Sequence, residues 1–400
     1  MPANLALLRD LARDIPQRIL ALLFNFVGLA AGALIAAYFN VLSSTSWALL
    51  LYPGILSVRG AIGGLFCGRM GTALHLGTIR PSILNNTREA RSLFYSIITL
   101  TFICSVVMGS VSLLFIAFLM GTTVFDGVSV LIVVIATMGL STLLISPITF
   151  EASVLSYRRG LDPDVVVYPI ISTVADIIVT ICYIMVLSCL LSSPQRSRSL
   201  LVLIDGLFLS IVCYLIIKNV QDEVFTRTIK EFMLTLLLVS LIVNVTGFLF
   251  KEISNTIGNR AEIYAVYPAL IDTMGDVGSI VGSTATTRMA LGSLDPSLSS
   301  MKRHLREIGS SWSASMVMFG LFSVASSSLY GFGGLKSLFL RMMTVNLLAT
   351  PVIIVIAITV AILTRRRGWD PDNFLIPIEA SLADGITTIS LLVAIKIIAT

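Results

Sequence analysis

The 400-residue sequence contains little charge: Asp, Glu, Lys and Arg together make up 12% of it, whereas a soluble domain carries about 25%. Hydrophobic residues make up 56%, and the mean hydropathy is +0.95. Because so few ions cannot cover a water-facing surface, the composition excludes disordered, coiled-coil, all-β and disulfide-rich classes. The apolar runs are continuous rather than alternating, which also excludes a membrane β-barrel. We therefore expect an all-α polytopic membrane protein.

Motifs that carry chemistry are also scarce. The five cysteines lie in apolar stretches without metal or redox spacing, and neither of the two histidines has a metal-ligand neighbour four residues on. There is no Walker motif, nucleotide fingerprint or nucleophile elbow. We therefore expect no enzyme activity, no cofactor and no ATP-driven transport within this chain. The net charge of +5 fits the Lys/Arg excess of cytoplasmic loops better than a nucleic-acid partner.

Eleven stretches reach the roughly 20 mainly apolar residues that a transmembrane helix needs. They lie at about 17–40, 48–76, 92–119, 128–156, 164–191, 199–218, 229–250, 264–290, 310–330, 337–363 and 373–397. The segment 1–16 is too charged for a signal peptide, and we interpret it as cytoplasmic and amphipathic. With the N-terminus inside, the inside loops hold seventeen Lys/Arg and the outside loops five. This asymmetry predicts a cytoplasmic N-terminus and an outside C-terminus. We expect the membrane to be the plasma membrane.

Two sequence blocks occur twice in the same order. Residues 52–82 and 267–297 share nine of 31 positions, and residues 158–176 and 366–384 share ten of 19. A duplicated five-helix unit explains both matches. The predicted divisions are the N-terminal segment 1–16, a first repeat at 17–191, a linking helix with its loops at 192–228, and a second repeat at 229–400. Because matching helices are six apart, both copies face the same way, which predicts a pseudo-two-fold axis along the membrane normal.

Asp176 and Asp384 are the most informative residues of the duplication. Each lies 13 residues beyond the proline that opens the last helix of its repeat, which is about 20 Å along the helix. A carboxylate at that depth costs at least about 2.5–3.5 kcal/mol, so it should face an interior path or a partner. A hydrated divalent cation would neutralise two such carboxylates brought towards one axis. A simpler interpretation ties each aspartate to Arg59, Arg69 or a hydroxyl for packing.

The second helix of each repeat is rich in small residues, which favours close helix packing or a thinner wall beside an ion path. The two copies differ in charge, because Asp272 and Asp276 occupy the positions of Ser57 and Ala61. Glu379 adds a further acid to the second repeat. We therefore predict a lopsided cation site with its acidic surplus in the second repeat. The predicted metal-site residues are Asp176, Asp384, Asp276 and Asp272.

An Asp-Pro-Asp motif opens the last helix of each repeat, at 162–164 and 370–372. The first Asp suits an N-cap, the Pro suits the first helical position, and the second Asp faces the positive end of the helix dipole. The motif therefore predicts helix starts at Pro163 and Pro371.

These motifs resemble the MgtE magnesium channels and the related eukaryotic magnesium solute carriers. The resemblance rests on the Pro…Gly-x-x-Gly…Pro helix and on Gly-x-Asp-Pro-Asp…Pro…Asp, both present twice. MgtE is a homodimer of five-helix units, so the chain resembles a fused form that works as a monomeric pseudo-dimer. The resemblance implies a Mg²⁺ path along the two-fold axis, with Asp176 and Asp384 as the ion site. The Gly-Asn pair of the family reads Gly60-Ala61 and Gly275-Asp276 here.

We therefore expect a transporter of divalent cations in the lipid bilayer, with Mg²⁺ first and Mn²⁺ or Co²⁺ as other candidates. Mg²⁺ dehydrates reluctantly and is usually held by one or two carboxylates together with waters. The sequence leaves open whether the protein is a channel or an exchanger coupled to Na⁺ or H⁺. An intramembrane aspartyl protease is a remote alternative, since its Tyr-Asp and Gly-x-Gly-Asp motifs are absent and the aspartates follow Ala175 and Ala383.

Overall fold

The computed structural model describes residues 14–82, 85–120, 124–160, 163–192, 194–290, 292–297, 299, 302, 304–367 and 371–398. Within these residues the regular structure is helical and there is no β-strand, which confirms the predicted all-α class. The helices are α1 (Asp14–Ala37, with a 3-10 stretch at Leu23–Val27), α2 (Phe39–Ser43), α3 (Ala48–His75), α4 (Arg88–Met120), α5 (Val124–Arg158), α6 (Pro163–Ser192), α7 (Pro194–Asn219), α8 (Glu223–Ile257), α9 (Ala261–Ala290), α10 (Leu305–Tyr330), α11 (Leu335–Arg367) and α12 (Pro371–Ile397).

Ten helices in the described part of the chain are long and apolar enough to cross a membrane. The predicted span at 264–290 is not among them, although it forms the 30-residue helix α9. Its length suffices, but it carries Asp272, Asp276 and many small polar residues. Such a helix can lie at membrane depth only where other protein shields it. Accordingly, Tyr264, Tyr267 and Met274 of α9 are buried.

The chain forms two compact units. The N-repeat unit comprises Tyr38–Phe248, and the C-repeat unit comprises Met1–Ala37 with Leu249–Thr400. The units therefore differ from the repeats that we infer from the sequence. The C-repeat unit contains α1, and the N-repeat unit contains most of α8, so each unit holds the first helix of the other repeat.

The two exchanged helices are packed by equivalent glycines. In the C-repeat unit, Gly32 of α1 lies against the backbone of α9 at Ala265. In the N-repeat unit, Gly247 of α8 lies against the backbone of α3 at Leu50. A side chain at either glycine would overlap the opposing carbonyl oxygen. Both pairs correspond at the offset of 215 residues that relates the repeats, so the duplication reaches into the first helices.

Helices α3 and α9 end in the same way. Gly77 and Gly292 follow them with positive φ of 72° and 70°, a conformation that glycine adopts without strain. After Gly77, the N–H of Thr78 donates to the carbonyl of Ala73 at 3.0 Å. After Gly292, the N–H of Ser293 donates to the carbonyl of Arg288 at 2.9 Å. These bonds form the Schellman type of helix end, so even the caps are repeated.

Helices α6 and α12 begin at Pro163 and Pro371, as the Asp-Pro-Asp motif predicts. Asp162 and Asp370 lie outside the described residues, and so does the 1–13 part of the N-terminal segment. Pro53 and Pro268, which follow the tyrosines of the repeated second helix, lie inside α3 and α9 rather than at their starts.

Candidate cation site

Asp176 lies on α6 in the N-repeat unit, and the residue is only 5% exposed. Its backbone carbonyl accepts a hydrogen bond from Oγ1 of Thr180 at 2.6 Å. The same hydroxyl lies 2.9 Å from the hydroxyl of Tyr52 on α3. The helical turn that carries Asp176 is therefore fastened to α3 by a buried pair of hydroxyl groups.

Asp384 has the same setting in the C-repeat unit. The residue lies on α12 and is 8% exposed. Its carbonyl accepts a 2.6 Å bond from Oγ1 of Thr388, and that hydroxyl lies 2.9 Å from the hydroxyl of Tyr267 on α9. The structure thus gives both aspartates buried and equivalent positions within their own units. Their role as ion ligands remains a prediction.

Neither arginine of the simpler interpretation binds Asp176 in the described part of the chain. Arg69 instead donates to Oγ1 of Thr228 at 2.7 Å and to a carboxylate oxygen of Glu231 at 2.6 Å. Arg59 is 2% exposed, and none of its three guanidinium nitrogens has a hydrogen-bond partner among the described residues. Packing against these arginines therefore does not account for the buried aspartate.

Asp276, on α9, is held by the first helix of the chain. Nδ2 of Asn25 donates to a carboxylate oxygen of Asp276 at 2.7 Å and lies 3.3 Å from Oγ1 of Thr273. Asn25 is buried and belongs to the 3-10 stretch of α1. Asn25 is not among the site residues that we predict from the sequence. The signal that could have found it is an isolated amide inside an apolar span, where an unpartnered polar group is costly.

Glu379 of the C-repeat unit is almost completely buried, with 1% exposure. Its Oε2 accepts a bond from Oγ of Ser279 at 2.9 Å. Its Oε1 has no hydrogen-bond partner among the described residues and lies against the backbone of α9 at Gly278. The charges of Asp384 and Asp276 both act on the Glu379 carboxyl group. Three acids of α9 and α12 therefore lie near one another within a single unit.

The fourth predicted ligand, Asp272, lies one helical turn before Asp276 on α9 and is partly buried. In the residues that the structure describes, no three or more His, Cys, Asp or Glu side chains are arranged to hold a metal ion directly. The acids therefore do not form a dehydrated metal cage. One or two carboxylates with retained waters is the arrangement that Mg²⁺ favours, and these side chains can supply that.

The acidic cluster of the C-repeat unit, defined as Asn25, Asp276, Ser279 and Glu379, has no counterpart in the N-repeat unit. The residues at the corresponding positions, taken at offsets of 215 and 208, are Ser240, Ala61, Gly64 and Ile171. The lopsided charge that the sequence predicts therefore lies on the buried Glu379 and the half-buried Asp276. Among the four predicted ligands, Asp176 and Asp384 are the pair that occupies equivalent positions in the two repeats.

Comparison with known protein families identifies one matching family. The family described as MgtE, divalent cation transporter, matches residues 52–186 and 267–394, which together exceed half of the chain. One matched segment lies within each of the two predicted repeats. No curated protein and no solved structure matches the chain.

Proposed function

Because the chain belongs to the MgtE family of divalent cation transporters, we propose that it carries Mg²⁺ across the plasma membrane along a central path between its two repeats. Asp176 and Asp384 are the ion-binding residues of that path, and Asp276 and Asp272 add negative charge on the side of the second repeat. Mn²⁺ and Co²⁺ are weaker substrates. The single chain works as a pseudo-dimer, with a cytoplasmic N-terminus and an outside C-terminus.

The observation that carries this proposal is the matched setting of the two aspartates. Each is buried, and each sits on a turn tied to the neighbouring second helix by a Tyr–Thr contact of 2.9 Å. A buried carboxylate at membrane depth is costly. A chain that retains two of them in equivalent positions gains something from their charge.

Carboxylate chemistry also favours Mg²⁺ over softer metals. Thiolate and imidazole ligands suit zinc and copper, whereas carboxylate and water suit Mg²⁺ and Mn²⁺. The proposed ligands Asp176, Asp384, Asp276 and Asp272 are all carboxylates. An ion that keeps part of its water shell can pass such groups without being trapped, since conduction requires binding that is weak enough to release.

The test is Mg²⁺ flux in proteoliposomes with Asp176→Asn and Asp384→Asn, which remove charge but keep shape. We expect each variant to lower flux at least about tenfold, which corresponds to about 1.4 kcal/mol. Asp205→Asn is the matched control, because this acid lies in the linking helix α7 outside both repeats, and flux should stay unchanged. Wild-type flux in both repeat variants would refute the aspartate assignment.

Imposed gradients identify the driving force in the same vesicles. Mg²⁺ flux that follows the Mg²⁺ gradient alone indicates a channel. Flux that requires or is accelerated by an opposing Na⁺ or pH gradient indicates an exchanger.

A further inference from the structure

Glu379 occupies a position that the duplication does not explain. The equivalent residue of the first repeat is Ile171, so an apolar side chain fits this position of the fold. The glutamate is nevertheless almost fully buried. Its carboxylate is therefore not required by the architecture that the two repeats share.

Only one of the two carboxylate oxygens of Glu379 accepts a hydrogen bond from the described residues. Ser279 donates to Oε2 at 2.9 Å, while Oε1 has no partner among the described residues. Gly278 makes room for Oε1, because any side chain there would overlap it. A buried polar atom without a partner costs about 1–3 kcal/mol, and more when the group is charged. The cost falls if a ligand reaches that oxygen.

The charged groups near Oε1 of Glu379 indicate which kind of ligand this oxygen would bind. Among the described residues, Asp384 and Asp276 carry charges that act on the Glu379 carboxyl group. Carboxylates that lie close together repel one another unless a cation or a proton lies between them. Asn25 binds one oxygen of Asp276, but an amide hydrogen bond does not neutralise its charge.

We propose that Glu379, together with Asp276 and Ser279, forms a second cation position within the C-repeat unit, which takes a partly hydrated divalent cation. Glu379 precedes Asp384 by five residues, about 7.5 Å along α12. The second position is therefore separated from Asp384 along the axis of α12. This inference rests on the proposed function, and it adds that the two halves contribute unequally to ion binding.

The equivalent position of the N-repeat unit carries none of these three polar groups. Ala61, Gly64 and Ile171 stand where Asp276, Ser279 and Glu379 do. A transporter with one shared pair of aspartates and one extra acid site has two cation positions of different strength along its path. Conduction through multiple weak sites benefits from such a sequence of positions.

The test compares Glu379→Gln with Ile171→Gln in the full-length protein. Glutamine keeps the shape of Glu379 and can still accept the bond from Ser279, but it removes the charge. Mg²⁺ binding to purified protein in detergent is measured by equilibrium dialysis, and Mg²⁺ flux is measured in proteoliposomes. We expect Glu379→Gln to remove one bound Mg²⁺ per chain and to raise the half-saturating Mg²⁺ concentration of flux about tenfold. Ile171→Gln should leave both values unchanged.

Further variants separate the possible failures. Asp276→Asn should reproduce the loss of one bound Mg²⁺, which keeps the test valid if Glu379→Gln does not fold. Suppose that Asp384→Asn lowers flux, but that Glu379→Gln leaves the number of bound Mg²⁺ ions and the half-saturating Mg²⁺ concentration unchanged. That result would refute the second cation position and leave the proposed function standing. Absence of any divalent flux in the wild type would instead overturn the proposed function.

Discussion

The two compact units share a scaffold but differ in the charges that they bury. In both, the helix that bears the aspartate is tied to the second helix by a Tyr–Thr contact of 2.9 Å, and the second helix ends at a glycine with positive φ. Around that shared scaffold, the C-repeat unit holds the acidic cluster, in which Asn25 and Glu379 are buried and Asp276 and Ser279 are half-buried. Small or apolar residues fill the same positions in the N-repeat unit. The duplication has kept what holds the helices together and has changed what acts on ions.

A second difference between the units concerns a positively charged side chain. Arg59 of α3 occupies the position of Met274 of α9. The Met274 sulfur lies 3.5 Å from the hydroxyl of Thr350, whereas Arg59 is buried without a hydrogen-bond partner among the described residues. Arg59 therefore places a buried positive charge on the second helix of the N-repeat unit, where the second helix of the C-repeat unit has a neutral thioether. The two second helices thus differ in charge at this position as well as at the position of Asp276.

The largest expected effect tests the part of the comparison in which the units agree. Gly32→Ala and Gly247→Ala each place a methyl group into an opposing backbone carbonyl, which cannot move as a side chain can. We expect both to destabilise the protein by about 3 kcal/mol, the upper end of ordinary overpacking. The measurement is the thermal unfolding midpoint in detergent.

The matched control for these variants is Gly206→Ala in α7, since no atom lies within 4 Å of its added Cβ. It should unfold as the wild type does. If Gly32→Ala and Gly247→Ala differed strongly from each other, the two exchanged helices would not be packed equivalently, and the shared scaffold would be refuted at this point.

An intermediate effect is expected where the units disagree. Gly278 and Gly63 correspond in the repeat, but an added Cβ overlaps the Glu379 carboxylate at Gly278 and meets nothing within 4 Å at Gly63. Because the end of a glutamate side chain can shift, Gly278→Ala should cost only about 1–2 kcal/mol. It should also displace Glu379 and raise the half-saturating Mg²⁺ concentration of flux several-fold, by about 1 kcal/mol of binding free energy.

Gly63→Ala is the control for that displacement, and we expect it to leave both stability and flux unchanged. Equal flux in Gly278→Ala and Gly63→Ala would mean that the position of Glu379 does not matter for transport. The shared fold would then stand, but the functional difference between the units would not.

The sequence could predict the repeats and the buried aspartates because both rest on local patterns. Asp176 and Asp384 follow helix-starting prolines at the same spacing, and helix geometry converts that spacing into depth. The exchange of α1 and α8 between units could not be predicted, because no local pattern states which helix a span packs against. For the same reason the contact of Asn25 with Asp276, between residues 251 positions apart, emerges only from the structure.

For Glu379, one part of the finding could be predicted from the sequence and another part could not. Its presence in an apolar helix marks it as unusual, and the sequence alone indicates that it is an additional acid of the second repeat. That one of its oxygens lacks a partner depends on Ser279 and Gly278 of another helix, which composition and spacing cannot reveal. The sequence therefore indicates the charge difference between the halves, while the structure identifies which groups carry it.

The smallest expected effect concerns the ends of the two second helices. In the C-repeat unit, His304 is buried just before α10 and contacts Arg288, the last-turn residue of α9, at 3.2 Å. The equivalent of Arg288 in the first repeat is Ala73. Burial lowers the pKa of His304 below 6.5, Glu307 opposes this shift, and the charges of Arg288 and Arg18 add to it.

A lowered histidine pKa means that the unfolded chain binds a proton more readily than the folded one, so stability should fall as pH drops below about 6.5. We expect the unfolding midpoint to fall by about 2 °C more in the wild type than in His304→Gln between pH 7 and pH 5. If the unfolding midpoint of His304→Gln fell as far between pH 7 and pH 5 as that of the wild type, the buried histidine would not account for the loss of stability in acid, and this difference between the two helix ends would have no effect on stability.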